Sequence, residues 1–179
     1  MVYVVIGNSH SGKSSFVRNT WIRGREFVLN RDLMPYSELD DVILIGRYDT
    51  GDKRRDGTDS TERKQVGNYA EQILRLLPKG KDIVIEGMRC VSRPMMNKLL
   101  ENNVEVKLIW IRVSPEVSYQ RNLDWGTTTD EKMAVRHYTM CSNFVNDYTG
   151  KVDIMTIDST NVCDFTRFSM KDLSGGKLV

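Results

Sequence analysis

The chain has little that would tie it together covalently or hold a metal through sulfur. Its 179 residues include only 3 cysteines, Cys90, Cys141 and Cys163, with no C-x-x-C pair among them. An odd, scattered set argues against a disulfide framework and a zinc site, and reads as three thiols in a reducing cytoplasm. No apolar run approaches the roughly 20 residues needed to cross a bilayer. Charge of one sign is missing too: 26 Lys and Arg against 24 Asp and Glu leave +2. Global charge therefore neither demands nor excludes a nucleic-acid partner, and local clusters must decide. Proline is scarce, at 4 residues, and there is no Pro/Gly/Ser-rich linker, repeat or low-complexity tract. A single domain over 1–179 is expected, long enough for a sizeable core. Residues 2–6 read as a core strand rather than a secretory leader, so a soluble, cytoplasmic protein is expected.

What the chain does have begins at that strand. "VYVVI" (2–6) is apolar without polar alternation, the habit of a strand covered on both faces. It runs straight into "GNSHSGKSS", in which Gly7, Gly12, Lys13 and Ser14 have the G-x-x-x-x-G-K-S spacing of a phosphate-binding P-loop. Glycines let backbone N–H groups curl around phosphate oxygens, and the helix that follows adds the partial positive charge of its N-terminus. Residues Gly7, Asn8, Ser9, His10, Ser11, Gly12, Lys13, Ser14 and Ser15 are thus candidate contacts for the triphosphate of ATP. Lys13 would reach the β- and γ-phosphates, and the Ser14 hydroxyl would ligate Mg²⁺. His10 occupies a position of the loop that any residue can fill.

Further strands are expected at 41–48, 82–87, 104–113 and 151–158. Residues 24–34 look mixed and loop-like. Helices are expected after the P-loop, over 61–77 (apolar Val66, Tyr69, Ile73, Leu74 and Leu77), over 93–103, from Pro115 onward behind a Ser114 cap, and over 131–148. Strands alternating with helices mean an α/β fold, three layers around a five-stranded parallel sheet. Two polar excursions interrupt it, a substrate loop near 49–60 and a lid near 121–130.

A P-loop alone does not name a substrate. A guanine-nucleotide switch should carry N-K-x-D, but Asn97-Lys98 is followed by Leu99-Leu100, and the one D-x-x-G, Asp147 to Gly150, comes late. A motor ATPase is usually larger. The remaining pattern resembles nucleoside- and nucleotide-kinase-like P-loop proteins. In that group the third strand ends in an acidic residue near Mg²⁺, which here is Glu86. A helix after the fourth strand carries lid arginines, for which Arg121 is the candidate to meet the transferring phosphoryl group and Arg136 the next. The group's second lid arginine is replaced here by "LDWG". Adenine would be held by the loop at 157–164. His137 reads as a surface or satisfied histidine, and Arg112 as structural or as a substrate contact.

In kinases acting on small hydroxyl compounds, the end of the second strand supplies the acid that deprotonates the acceptor. Asp49, Asp52, Asp56 and Asp59 all lie there, with Asp59 favoured and Asp49 next; a plain helix cap is the alternative for Asp59. The same stretch carries Lys53, Arg54 and Arg55, then Arg63 and Lys64. These are either a solvated charged face or contacts to a nucleic-acid backbone.

The P-loop followed by "GRY…GTDS" (46–48, 57–60) and "IVIEGMR" (83–89) resembles the bacteriophage P-loop kinases that phosphorylate 5-hydroxymethyluracil in DNA. Gly46, Tyr48, Gly57, Thr58 and Asp59 are the discriminating residues, and the resemblance spans roughly 1–125. It implies transfer of the ATP γ-phosphate to the base's hydroxymethyl group, a step toward thymidine hypermodification, in the cytoplasm of an infected bacterium. Modified DNA would then be the partner. Acting on a base within a duplex also implies extruding it, and Tyr48 or Trp125 would be available to stack on it. A free nucleoside or nucleotide kinase and a non-enzymatic ATP-binding module are the competing expectations.

Overall fold

The computed structural model describes residues 1–30, 34–49, 56–58, 69–127, 130–161 and 165. Among them seven strands form one sheet: β1 (Val2–Ile6), β2 (Val28–Asn30), β3 (Tyr36–Glu38), β4 (Val42–Ile45), β5 (Asp82–Glu86), β6 (Val106–Arg112) and β7 (Asp153–Asp158). Their spatial order is β2-β3-β4-β5-β1-β6-β7. Five α-helices accompany them: α1 (Lys13–Val17), α2 (Tyr69–Leu76), α3 (Arg93–Glu101), α4 (Pro115–Asp124) and α5 (Glu131–Tyr148).

The five strands expected from sequence form the parallel part, β4-β5-β1-β6-β7. The sheet is nevertheless seven-stranded, a correction to the expected count. β2 and β3 pair antiparallel with each other, and β3 pairs antiparallel with β4. Each has three residues, too few to display a period of two, and edge strand β2 leaves Val28 67% exposed, so no apolar run marks it.

Alternate residues of β1 enter two different cores. Val2, Val4 and Ile6 pack with Tyr69 and Ile73 of α2, Met96 and Leu99 of α3, and Phe144 of α5. Tyr3 and Val5 face Phe16, Val17, Trp21 and Phe165 on the other side. Burial on both faces is why the strand carries no polar residue, and each such side chain contributes about 1.5–3 kcal/mol. Helix starts are fixed by side-chain caps: Ser92 accepts from the Met95 N–H, Ser114 from Val117 and Asp130 from Met133. Caps of this kind are worth about 1 kcal/mol each. Helix α5 has the expected bounds, whereas of the expected 61–77 helix only Tyr69–Leu76 and a short 3₁₀ turn (Leu77–Lys79) lie within the described residues. No described helix is long and apolar enough to cross a membrane.

The chain leaves β1 for the β4–β5 side of the sheet and returns as β6 on the other side. The carboxyl end of β1 is therefore a switch point, where adjacent connections diverge and leave a crevice. Residues 7–14 occupy it.

Candidate functional site

Loop 7–14 is stitched to three elements around the end of β1. The Asn8 amide donates to the Val113 carbonyl after β6 (3.2 Å), the Ser118 hydroxyl of α4 donates to the Ser9 carbonyl (2.7 Å), and the Ser159 hydroxyl after β7 donates to the Ser11 carbonyl (2.8 Å). A Cβ at Gly7 would lie 2.4 Å from the Ile111 carbonyl oxygen and 2.5 Å from Ser11 Oγ. Gly12 has φ +90°, and a Cβ there would meet the ring of Phe165 at 2.7 Å. Ser15, in the first turn of α1, is half-buried.

Lys13 is the unusual member. Its side chain is 8% exposed, and its ammonium donates to the Asn8 carbonyl at 3.0 Å. No carboxylate pairs with it among the described residues. Burying a cation is costly unless an anion accompanies it. Its field, together with burial as the larger cause, depresses the proton affinity of both His10 and His137. The loop thus presents a buried positive charge suited to an anion.

Beside it, the Ser14 hydroxyl donates to Glu86 Oε1 at 2.9 Å, and Glu86, the last residue of β5, is 1% exposed. A hydroxyl and a carboxylate are hard oxygen donors, and this pair fits Mg²⁺, which takes one or two protein oxygens and completes its shell with water and phosphate. Ser14 and Glu86 are the residues that would hold it. Among the described residues no group of three His, Cys, Asp or Glu side chains could hold a metal.

Glu86 is also where the "GRY" and "GT" fragments meet. Arg47 and Gly57 form an isolated antiparallel bridge, with the Gly57 N–H donating to the Arg47 carbonyl at 3.0 Å. Gly46 has φ +102°, and a Cβ on it would lie 2.0 Å from the Gly57 carbonyl oxygen. Gly57 has φ +59°, and a Cβ on it would lie 2.5 Å from Glu86 Oε1. The Thr58 hydroxyl donates to the Glu86 carbonyl at 2.7 Å, and Arg89 reaches the Thr58 carbonyl at 3.3 Å. Asp56, just before, is buried and gripped by Arg18 at 2.5 and 2.7 Å, while Arg18 also donates to the Tyr48 carbonyl at 2.9 Å. The Asp56 hydrogen bond raises the Arg18 pKa further. Residues 56–58 are thereby clamped against the acidic end of β5. Gly46→Ala should destabilise the chain by about 2–3 kcal/mol, since a left-handed backbone and a backbone collision act together. Gly80, at φ +69° with nothing within 4 Å of a Cβ, is the control. Gly80→Ala should cost about 1 kcal/mol, from the backbone alone. Urea midpoints compare the two, and equal shifts would show that the Gly46–Gly57 approach is not tight.

Tyr48 departs from its expected stacking role. It is 2% exposed, its ring lies 5.8 Å from the Arg18 guanidinium, and its buried hydroxyl has no hydrogen-bond partner among the described residues. Burial, then the carboxylates of Glu86 and Asp56, push its phenol pKa well up, so it stays neutral. Three residues past the end of short, buried β4, it lies in the core rather than on the surface. Trp125, by contrast, is 55% exposed, with its ring edge-on to His10 at 5.5 Å. Asp49 is held by Arg47 through two hydrogen bonds, 2.9 and 3.0 Å. Asp52, Asp59, Lys53, Arg54, Arg55, Arg63 and Lys64 lie outside the described residues.

Arg121 does reach the loop, but through carbonyls: His10 (3.3 Å), Ser159 (2.8 Å) and Thr160 (3.3 Å). It joins the candidate phosphate loop to the start of the 157–164 segment. Arg112 pairs with Asp158 at 2.6 Å, and bonds from Thr160 and Arg112 hold the Asp158 carboxyl down at about 2. Arg136 is exposed, whereas its neighbour His137 is half-buried, with Nδ1 3.0 Å from Ser9 Oγ. The sequence signal missed Arg18 and His137. Arg18 lies 38 residues from Asp56, and His137 lies 128 from Ser9. A weak hint existed in each case: a charged residue one turn past the loop, and a histidine on the same α5 face as buried Ala134 and Cys141.

A scan of the chain against family models finds no match, and no curated protein matches it.

Proposed function

We propose that the chain is an ATP-dependent phosphotransferase whose acceptor is the hydroxymethyl group of 5-hydroxymethyluracil in DNA. The observation that carries the donor half is Lys13: a buried ammonium with no carboxylate partner among the described residues, at the switch point of a parallel sheet. A triphosphate would supply the missing anion. The Ser14–Glu86 pair, 2.9 Å apart, is where Mg²⁺ would be held, and that ion would draw charge from the β- and γ-phosphate oxygens.

In the proposed reaction the acceptor oxygen attacks the γ-phosphorus, the bond from that phosphorus to the ADP oxygen breaks, and the hydroxyl proton passes to a carboxylate. Products are ADP and a phosphomonoester. Lys13 would hold charge that spreads over the phosphoryl oxygens as the bonds exchange. The proton acceptor is proposed to be Asp59. Of the four carboxylates in its stretch, Asp49 and Asp56 are each paired with an arginine. Clamping of Gly57 and Thr58 on Glu86 supports the reading, because it brings two residues of the family-like pattern to the site.

The acceptor half rests on the resemblance and on Lys53, Arg54, Arg55, Arg63 and Lys64 in the sequence. A mononucleotide needs one or two cations, and five in a short span suit a polyanion better. Nucleoside mass spectrometry of hydroxymethyluracil-containing DNA incubated with the protein, ATP and Mg²⁺ should find the phosphorylated nucleoside. Phosphate only on free nucleosides or nucleotides would make it a small-molecule kinase, and none on any acceptor would leave an ATP-binding module. DNA affinity should fall steeply with salt through counterion release. Replacing Lys53, Arg54 and Arg55 together with Ala should reduce the log–log slope by up to roughly three, about 0.9 per lost phosphate contact. An unchanged slope would make the cluster a solvated loop.

A further inference from the structure

Helix α5 lays one face along the candidate phosphate loop. His137 Nδ1 stands 3.0 Å from Ser9 Oγ, one residue from the Asn8 carbonyl that receives the Lys13 ammonium. One turn further on, Cys141 is buried with its sulfur 3.7 Å from Met88 Sδ. Its thiol feels both Lys13 and the Gly7 backbone, though burial prevails and pushes it up to about 11. His137 and Lys13 therefore both lie against the loop, one at Ser9 and the other at Asn8. The ring's Nε2 has no hydrogen-bond partner among the described residues. The arginines expected in this role do not compete: Arg136 faces solvent, and Arg121 is occupied by three carbonyls.

We infer that His137 is a direct contact of the nucleotide's terminal phosphates, taking up a proton from solvent as the triphosphate binds and donating a charged hydrogen bond to a phosphate oxygen. The inference rests on the reading of loop 7–14 as a triphosphate site and names the residue that completes it from the α5 side. In the unliganded chain the ring is held neutral by burial first, then by the positive charges of Lys13 and Arg136. Cys141 is uncharged, and Asp130 at the start of α5 is engaged as its cap. A bound polyphosphate reverses the balance, because an anion beside a half-buried imidazole favours its charged form. A group whose pKa is raised on binding strengthens binding at low pH, and that gain is lost as pH rises through its pKa in the complex.

Calorimetry of Mg-ATP binding to the full chain, near pH 7 in buffers of different ionisation enthalpy, reads the proton directly. The parent should take up a substantial fraction of one proton. His137→Gln, with an amide near the Nε2 position, and His137→Asn, with one near the Nδ1 position facing Ser9, should both lose that uptake. Each should bind roughly ten- to a hundred-fold more weakly at low pH and converge with the parent as pH rises through the imidazole's pKa in the complex. His10→Gln tests the competing assignment, because His10 is itself a loop residue, is also depressed by burial, Lys13 and Arg121, and has its ring edge-on to Trp125; the uptake is assigned to His137 and not to it. If nucleotide binds but the His137 variants keep the parent's proton uptake, the assignment to His137 is wrong and the triphosphate reading stands. If the uptake disappears only in His10→Gln, His10 is the contact. If the parent binds no nucleotide, the triphosphate reading falls and this inference with it.

Discussion

Lys13→Ala should reduce phosphoryl transfer by roughly 10³-fold or more while leaving the fold at least as stable as before. The two halves of that expectation have one cause. Lys13 is 8% exposed, and among the described residues its ammonium has only the Asn8 carbonyl as acceptor. A buried cation without a counter-ion weakens the unliganded fold, so its removal should not lower the urea midpoint. The same cation is what the triphosphate would be drawn to and what would steady the spreading charge as the phosphoryl group moves. Truncation should therefore separate function from stability, a trade common where a site is arranged for a ligand that is absent. Turnover, ATP affinity and urea denaturation on one preparation measure all of it. Near-parent turnover would end the phosphotransferase reading. A large fall in stability would mean that Lys13 is a structural member of the loop.

Much of this arrangement was legible in the residue order, and what was not has a physical reason. Strands β1, β5 and β6 are covered on both faces, so their apolar runs are continuous and stand out. The loop spacing and Glu86 are local features, one within eight residues and the other at a strand end. Helix α5 declares itself through 18 residues of helical periodicity and an Asp130 cap. Strands β2 and β3 are hidden because three residues cannot show a period, and because one of them is an edge. Arg18–Asp56 and Ser9–His137 are hidden for another reason. They join elements far apart in the chain, and only the crossing of those elements at the sheet's carboxyl edge brings them together. Tyr48 shows how far side-chain type can mislead: an aromatic beside a charged loop looks like a stacking platform, yet here it is core.

Asp59→Asn should lower turnover by roughly 10²–10⁴-fold and leave DNA affinity almost unchanged. Residue 59 lies outside the described residues, and the expectation rests on its chain neighbours and on the pairing of Asp49 and Asp56 with arginines. Thr58 is hydrogen-bonded to the Glu86 carbonyl, and Gly57 packs against the Glu86 carboxylate. The segment thus leaves the Ser14–Glu86 pair at residue 58. Asp56 cannot serve without breaking its two bonds to Arg18, and Asp49 is held twice by Arg47. Both oxygens of each carboxylate already accept from a guanidinium, which leaves neither one placed to take the acceptor's proton. Asparagine keeps the size of Asp59 and accepts hydrogen bonds, but it does not take the hydroxyl proton. Its effect should fall on the turnover rate at saturating DNA. The basic residues 53–55, in contrast, would hold the strand equally before and during the reaction, and their loss should appear in affinity. Turnover against DNA concentration at two salt concentrations distinguishes the two. If Asp59→Asn turns over at the parental rate, the base is another residue. Asp49→Asn then becomes the decisive variant, with Arg47 having to release its carboxylate when the acceptor arrives.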